Sequence, residues 1–219
     1  MPIDLYYFPP SPPCRSVMLL AKSLDVKLQL KVINIINGDQ KSPEYAKMNP
    51  QQTIPTLDDD GFIIWESRAI LGYLVNQYAK DDTLYPKDPK ERALIDQRLY
   101  FDASYISQRA TEYFKKVAFM SQLVNEDDLE KMHETLQLLN TFLDGQLWVA
   151  GPNMSIADFA IVVSVSNMEA LGVDLNEYPN IANWYTRARS AMPGYEEINQ
   201  AGAMMMGEMF KNRLKELTQ

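Results

Sequence analysis

The sequence predicts an α/β domain followed by an all-helical domain, and three observations lead to this interpretation. The first ~80 residues alternate short apolar runs with turns in a roughly β-α-β order. Residues 81–89 combine two prolines with several charged residues, as linkers do. The remaining chain carries long amphipathic patterns and almost no strand signal. We therefore expect an α/β domain over residues 1–80, a linker over 81–89 and a helical domain over 90–219.

Local signals predict the first elements in order. Residues 5–8 are typical of a strand, and the four prolines between positions 9 and 13 argue against regular structure directly after it. Apolar residues at helical spacing from Val17 to Leu24 predict a helix that begins near Cys14. Residues 28–35 predict a second strand, and Ser42 followed by Pro43 is typical of a helix start.

The rest of the first domain follows the same logic. Residues 54–57 and 62–65 are short strand-like runs, and the acidic stretch ending at Gly61 between them is typical of a turn. From Ser67 onward, apolar residues recur on one helical face as far as Tyr78. These signals predict two adjacent strands and a closing helix.

Several segments of the second domain show helical periodicity. Apolar positions between 94 and 101 and between 129 and 143 predict two helices. Ser155 and Asp158 have the spacing of a capping box, with Asp in place of Glu, and open a strongly apolar run. Two more helices are predicted over residues 180–189 and from Tyr195 onward.

The composition excludes several classes of protein. The net charge of −8 and the absence of a Lys/Arg cluster argue against nucleic-acid binding. The chain contains no apolar run of ~18 residues, so no membrane span is predicted. The single histidine, His133, excludes a multi-histidine metal site, and no metal is expected. The single cysteine, Cys14, excludes an internal disulfide and fits a reducing, cytoplasmic compartment.

Five short motifs, in chain order, resemble those of the cytosolic glutathione transferases, and in particular the insect delta class. They are Tyr6-Tyr7-Phe8-Pro9-Pro10-Ser11-Pro12-Pro13-Cys14-Arg15-Ser16, Asn49-Pro50-Gln51-Gln52-Thr53-Ile54-Pro55-Thr56-Leu57, Trp65-Glu66-Ser67-Arg68-Ala69-Ile70, Gln97-Arg98-Leu99-Tyr100-Phe101-Asp102 and Ser155-Ile156-Ala157-Asp158. The resemblance covers nearly the whole chain. It implies a thioredoxin-like N-terminal domain that binds glutathione as co-substrate, a helical domain that shapes a pocket for small hydrophobic electrophiles, and a homodimer.

The resemblance also implies that Ser11 activates the glutathione thiol. A free thiol has a pKa of ~8.5, so an enzyme that uses it as a nucleophile must stabilise the thiolate. From pattern alone, a helix-capping or turn serine without a chemical role is the favoured interpretation. Tyr6 and Tyr7 are rival hydroxyls, because other classes of this superfamily use tyrosine, and Cys14 is a rival as a mixed-disulfide nucleophile.

The matching motifs imply a set of residues around glutathione. Ile54-Pro55 resembles the family's cis-proline turn, whose preceding backbone pairs with the cysteinyl part. Glu66 and Ser67 would hold the γ-glutamyl end, and Glu66, Arg68 and Asp102 would form an electron-sharing polar network. The full expected glutathione-binding set is Gln40, Gln52, Thr53, Ile54, Pro55, Glu66, Ser67 and Arg68.

Two positions depart from the family, and the electrophile pocket is assigned by position only. Gln40 and Gln52 stand where delta-class members usually carry histidine; an amide can donate a hydrogen bond but never carries charge. The expected pocket residues are Phe8, Pro10, Tyr105, Arg109, Tyr113, Phe114, Phe119 and Phe210.

Three functions remain open from the sequence. The first is conjugation of glutathione to electrophiles, in detoxification. The second is sequestration of hydrophobic molecules by a non-catalytic relative, which Gln40 and Gln52 favour and which intact Ser11, Glu66 and Ser67 oppose. The third is a glutathione-dependent peroxidase or isomerase that uses the same thiolate.

Overall fold

The computed structural model describes residues 3–219, and this part folds into four strands and nine α-helices. In the first half the elements are β1 (Ile3–Tyr7), α1 (Pro12–Ser23), β2 (Leu28–Val32), α2 (Pro43–Met48), β3 (Thr56–Asp59), β4 (Phe62–Trp65) and α3 (Ser67–Tyr78). In the second half they are α4 (Pro89–Phe101), α5 (Ser107–Ala118), α6 (Glu126–Phe142), α7 (Ile156–Ala170), α8 (Pro179–Ala191) and α9 (Ala201–Leu217). The predicted succession of a thioredoxin-like α/β domain and a helical domain is confirmed.

The sheet has the strand order β2-β1-β3-β4, with β1 parallel to β2 and the other pairs antiparallel. Leu5 on β1 lies opposite Leu30 of β2 and Leu57 of β3. Leu5 and Leu57 are fully buried. Because β1 is central, the loop that leaves its carboxyl end, which contains Ser11, starts from a rigid position.

Helix α7 is the core of the second half. Its residues from Ile156 to Met168 are all buried, and it packs against α1, α4, α5 and α9. Since α1 contacts both α3 and α7, one continuous hydrophobic core joins the two halves. The loop after β1 therefore sits on the same packed unit as the helical domain.

The predicted capping box at the start of α7 is present. Asp158 accepts hydrogen bonds from the Ser155 backbone N–H (2.8 Å) and the Ser155 hydroxyl (3.1 Å). Its other carboxylate oxygen accepts from the Val149 N–H (3.0 Å) and the Trp184 indole (2.9 Å). Asp158 thus connects the turn before α7 to α8 in the interior.

Several elements differ from the sequence-based expectations. Strand β3 covers Thr56–Asp59 rather than residues 54–57, because Pro55 has no N–H to donate to a strand ladder. The sequence signals above do not predict α5 (Ser107–Ala118). Helix α1 begins at Pro12, not near Cys14, because prolines fit the first helical turn, where a backbone N–H has no intrahelical partner. Strand β2 ends at Val32 rather than continuing to residue 35, since the chain turns over residues 35–38. No helix within residues 3–219 is long and apolar enough to cross a membrane.

Candidate active site

A cavity of about 340 Å³ lies between the α/β half and the helical half. Its floor and one wall come from the loop after β1 and from the segments around residues 35–40 and 52–54, and its other wall comes from α5 and α9. Its lining residues are Phe8, Pro10, Ser11, Pro12, Pro13, Ile35, Ile36, Gln40, Gln52, Thr53, Ile54, Thr111, Phe114, Lys115, Phe119, Met206 and Met209. Most of the cavity lining is apolar, and four of its six polar residues are on the α/β side.

Ser11 lies at the N-terminus of α1 and lines the cavity. Its backbone carbonyl accepts from the N–H groups of Cys14 and Arg15, both at 3.1 Å, which anchors the residue to the first turn. Its hydroxyl makes no capping hydrogen bond to the helix. The main chain of Ser11 therefore caps α1, and the side chain is not needed for that role.

The three rival groups lie outside the cavity lining. Cys14 is fully buried, and burial raises the pKa of its thiol to about 11 against the smaller opposing effect of the Ser11 hydroxyl. Burial, with Asp4 and Asp58 nearby, also raises the pKa of Tyr6. Neither change favours an anion. Among the candidate residues, only Ser11 lines the cavity.

The segment before Pro55 presents free backbone groups to the cavity. The Ile54–Pro55 peptide bond is cis, as the resemblance implies. Within residues 3–219 the Ile54 N–H and C=O have no hydrogen-bond partner. The Thr53 carbonyl is held by the Tyr45 hydroxyl (2.7 Å) and the Asn49 amide (2.9 Å). This arrangement leaves one backbone donor and one acceptor available for an extended peptide.

Both glutamines that replace the usual histidines line the cavity. Gln40 lies in a short 3₁₀ turn, and its Oε1 is buried without a partner among the described residues. Gln52 is exposed and has a positive φ of 55°. A non-glycine residue in this conformation is uncommon and occurs preferentially at functional sites.

The start of α3 offers a site for an α-amino acid group. Glu66 is exposed, has a φ of 69° and precedes the buried Ser67, the first residue of the helix. Gln51 Nε2 donates to Glu66 Oε1 (3.0 Å), and the Trp65 indole N–H donates to Gln51 Oε1 (2.8 Å). The free N–H groups of the first turn can bind a carboxylate, while Glu66 can accept from an ammonium.

Arg68 and Asp102 form the polar pair that the sequence suggested, but Glu66 does not join it. Arg68 Nε donates to Asp102 Oδ2 (3.0 Å), and its Nη2 contacts the same oxygen. Arg68 Nη1 donates to the Ser67 hydroxyl (3.1 Å). Burial raises the pKa of the Asp102 carboxyl, and the Arg68 charge opposes this shift. The pair links the start of α3 to the π-helical turn after α4, whereas the partner of Glu66 is Gln51.

The structure divides the eight expected electrophile-pocket residues into two sets. Phe8, Pro10, Phe114 and Phe119 line the cavity. Tyr113 and Phe210 do not; both are buried and stack on each other at 5.4 Å between ring centroids.

Tyr105 and Arg109 also lie outside the cavity, which corrects the assignment by position. Arg109 Nη1 donates to the Thr135 hydroxyl (2.7 Å) on α6 and to the Lys131 carbonyl, and its guanidinium lies 5.3 Å from the centre of the Tyr105 ring. The packing of α5 on α6 draws the side chain away from the cavity.

Several lining residues are not evident from the sequence motifs. Thr111 and Lys115 lie at helical spacing around Phe114, so α5 presents all three on one side. This spacing is readable in the sequence, but it does not say which side of the helix meets a cavity. Met206 and Met209 of α9 complete the apolar wall, while the neighbouring Met204 is exposed.

Comparison with known proteins agrees with this geometry. Residues 5–82 match the family model described as "Glutathione S-transferase, N-terminal domain", and residues 122–187 match "Glutathione S-transferase, C-terminal domain". A glutathione S-transferase of Anopheles gambiae is 43% identical over 97% of this chain and 98% of its own length.

Two solved structures are similar along nearly the whole fold. A glutathione transferase of Bombyx mori is 50% identical, with a TM-score of 0.93 over 95% of this chain and 98% of that one. A delta-class glutathione transferase of Nilaparvata lugens is 47% identical, with a TM-score of 0.94 over 97% of this chain and 100% of that one.

Proposed function

This chain belongs to the glutathione S-transferase family, and from that premise we propose that Ser11 activates the thiol of bound glutathione for attack on small apolar electrophiles. One observation carries the assignment to Ser11. Of the four residues whose side chains could serve the thiol, only Ser11 lines the cavity between the two domains. Glutathione conjugation itself follows from the family.

A single hydroxyl is enough for the required effect. Lowering a thiol pKa by ~2 units takes ~2.7 kcal/mol of preferential interaction with the anion. A hydrogen bond to a charged group contributes ~1.5–3 kcal/mol, and a nearby helix N-terminus adds ~0.3–1 kcal/mol. Ser11 combines both, because it precedes the first residue of α1.

The remaining parts of glutathione have matching groups in the same region. We assign the cysteinyl backbone to the free N–H and C=O of Ile54, next to Thr53 and Pro55. The γ-glutamyl carboxylate is assigned to the first turn of α3 at Ser67, and its ammonium to Glu66. The glycyl carboxylate is assigned to Gln40 and Gln52 at the other end.

Arg68 and Asp102 have a supporting role in this proposal. The Arg68 guanidinium donates to the Ser67 hydroxyl, and Asp102 holds the guanidinium in place. This pair orients the start of α3 and contributes positive charge beside the γ-glutamyl carboxylate. Glu66 would enter the network only through the bound glutathione.

In the reaction the thiolate sulfur attacks an electrophilic carbon, the new carbon–sulfur bond forms and the leaving group departs with its bonding electrons. Phe8, Phe114 and Phe119 offer apolar surface for the electrophile. Pro10, Pro12 and Pro13 restrict the loop around Ser11, which reduces the entropy lost when the hydroxyl is held in position. We also propose that the protein is a homodimer and that it acts in the cytoplasm.

The test is to replace Ser11 with Ala and to measure conjugation of glutathione to chlorodinitrobenzene near neutral pH. Loss of a bond worth ~1.5–3 kcal/mol should lower the rate roughly 10–100-fold, and should change glutathione binding much less. Ser23→Ala is the matched control, since Ser23 is at the other end of α1 and its hydroxyl donates to the Leu19 carbonyl.

Three outcomes distinguish the candidate functions. Near-normal turnover in the Ser11 variant would reject the serine and direct attention to Tyr6 and Tyr7. Glutathione binding without turnover in the unmodified protein would favour sequestration of hydrophobic ligands. Turnover of hydroperoxides or isomerisable substrates with glutathione, in the absence of conjugation, would favour the peroxidase or isomerase alternative.

A further inference from the structure

Lys115 is an exposed lysine that lines the cavity. It is in the last turn of α5, and it lines the cavity together with Thr111, four residues earlier, and Phe114. Among the lining residues in the described part of the chain it is the only one with a charged side chain. The surrounding wall is formed mainly by aromatic, proline, isoleucine and methionine side chains.

The ammonium group of Lys115 is not used by the fold. It has no hydrogen bond or ion pair to any residue in 3–219. Glu112, one turn earlier, accepts instead from the Gln108 amide (2.8 Å). The adjacent Lys116 differs, because it pairs with Asp128 of α6 on another side of the helix. Of the two neighbouring lysines, Lys116 therefore stabilises the packing of α5 on α6, whereas the ammonium group of Lys115 is available to a ligand.

The positive charge of Lys115 affects the binding of anions because both the protein as a whole and bound glutathione are negatively charged. The protein carries a net charge of −8, and bound glutathione adds carboxylates and the thiolate. An anionic electrophile that approaches this site meets repulsion from both. A nearby ammonium against a largely apolar wall offsets that repulsion locally, where few other polar groups compete for the anion.

We propose that Lys115 selects electrophiles that carry a carboxylate, by pairing with that group while the reactive carbon faces the thiolate. This inference rests on the proposed function of the cavity. For a chloronitrobenzoate the thiolate sulfur bonds to the ring carbon that carries chlorine, and chloride leaves with the bonding electrons. The carboxylate takes no part in bond making; Lys115 holds it and so positions the ring.

The experiment compares chloronitrobenzoate with its uncharged amide, which has nearly the same shape and the same leaving group. The measured quantity is the ratio of kcat/KM for the acid to kcat/KM for the amide, which cancels general damage to the enzyme. Lys115→Met should lower this ratio about fivefold, the upper range for one exposed charge pair. Lys115→Arg should retain most of the ratio, and added salt should reduce the difference between Lys115→Met and the unmodified protein.

Lys116→Met is the matched control, since it removes the same charge one residue away but from the pair with Asp128. An equal fall of the ratio in this control would show a long-range effect of net charge and would overturn the proposal. An unchanged ratio in Lys115→Met would also overturn it. If Lys115→Met raised the KM for glutathione and left the acid-to-amide ratio unchanged, the proposal would also be overturned, because Lys115 would then bind the glycyl carboxylate of glutathione.

A binding arm separates this inference from the proposed function. The protein is saturated with S-methylglutathione and titrated with the unreactive methylnitrobenzoate and with its amide. If the unmodified protein turned over neither these electrophiles nor chlorodinitrobenzene, the proposed conjugation would fail, while the ratio of the two dissociation constants would still test the role of Lys115. A fall of about fivefold in the preference for the acid in Lys115→Met supports the inference, and no change rejects it.

Discussion

Replacing Asp158 with Ala should cost an unusually large part of the free energy of unfolding. Asp158 is fully buried and accepts four hydrogen bonds, of which three come from the N–H groups of Val149, Ser155 and Trp184. These three residues are themselves nearly inaccessible to solvent. The alanine variant leaves their donors without an acceptor, and only the Ser155 hydroxyl can rotate to find another.

The expected size follows from the number of donors. Each buried donor left unsatisfied costs ~1–3 kcal/mol, so three of them give ~3–9 kcal/mol before any relaxation. Two effects reduce this sum: water can enter the space, and the variant no longer buries a carboxylate whose pKa burial raises. We expect a loss of about 4 kcal/mol, which is exceptional for one substitution. Asp158→Asn keeps one oxygen and should lose about half as much.

The assay is urea unfolding followed by tryptophan fluorescence, with every variant at the same protein concentration because an oligomer's apparent stability depends on it. Asp88→Ala is the control. Asp88 also caps a helix, accepting from the Lys90 and Glu91 N–H groups (both 3.0 Å), but it is exposed, so its loss should cost only ~1 kcal/mol. If Asp158→Ala and Asp88→Ala differed by less than ~1 kcal/mol, counting buried donors would be the wrong explanation for Asp158.

Two further predictions concern Gln52 and Cys14. Gln52→His should tighten glutathione binding by up to ~10-fold, and more at pH 6 than at pH 8, because a protonated histidine forms a charged hydrogen bond with the glycyl carboxylate; equal or weaker binding in titrations at both pH values would show that Gln52 is already an effective ligand or does not face glutathione. Cys14 should react with a disulfide reagent at pH 7.5 at least about 100-fold more slowly in the folded protein than in urea, since its pKa is raised to about 11 and only the thiolate reacts; labelling in the folded protein at the urea rate would contradict its burial.

Several features of this protein were readable from short segments because their causes are local. Ser42 caps α2 by accepting from the Tyr45 N–H (3.2 Å), with Pro43 in the first turn, as the two residues predict. The capping box at Ser155 is equally local, because both partners lie within one helical turn. The limits of β4 and the start of α3 also match, since a turn precedes the first and Ser67 opens the second.

The candidate site was predicted less evenly. The family resemblance singled out Ser11, and this residue lines the cavity in the structure. It also suggested one network of Glu66, Arg68 and Asp102, of which the structure joins only the last two. The partner of Glu66 is Gln51, fifteen residues earlier in the chain, and no periodicity relates these two side chains.

The sequence by itself determined the succession of an α/β half and a helical half, the caps at Ser42 and Ser155 and the motifs that carry the family resemblance. Tertiary structure alone decided which side of each helix meets the cavity. Periodicity relates Tyr113 to its neighbours on α5, but only the packing of α5 against α9 turns that tyrosine onto Phe210 and leaves Lys115 at the cavity. The same holds for Arg15, which is fully buried and donates to Asn199 and Asn167 from the other domain. The reason is physical: spacing along a helix sets the angles between side chains, whereas their absolute orientation depends on contacts between distant segments.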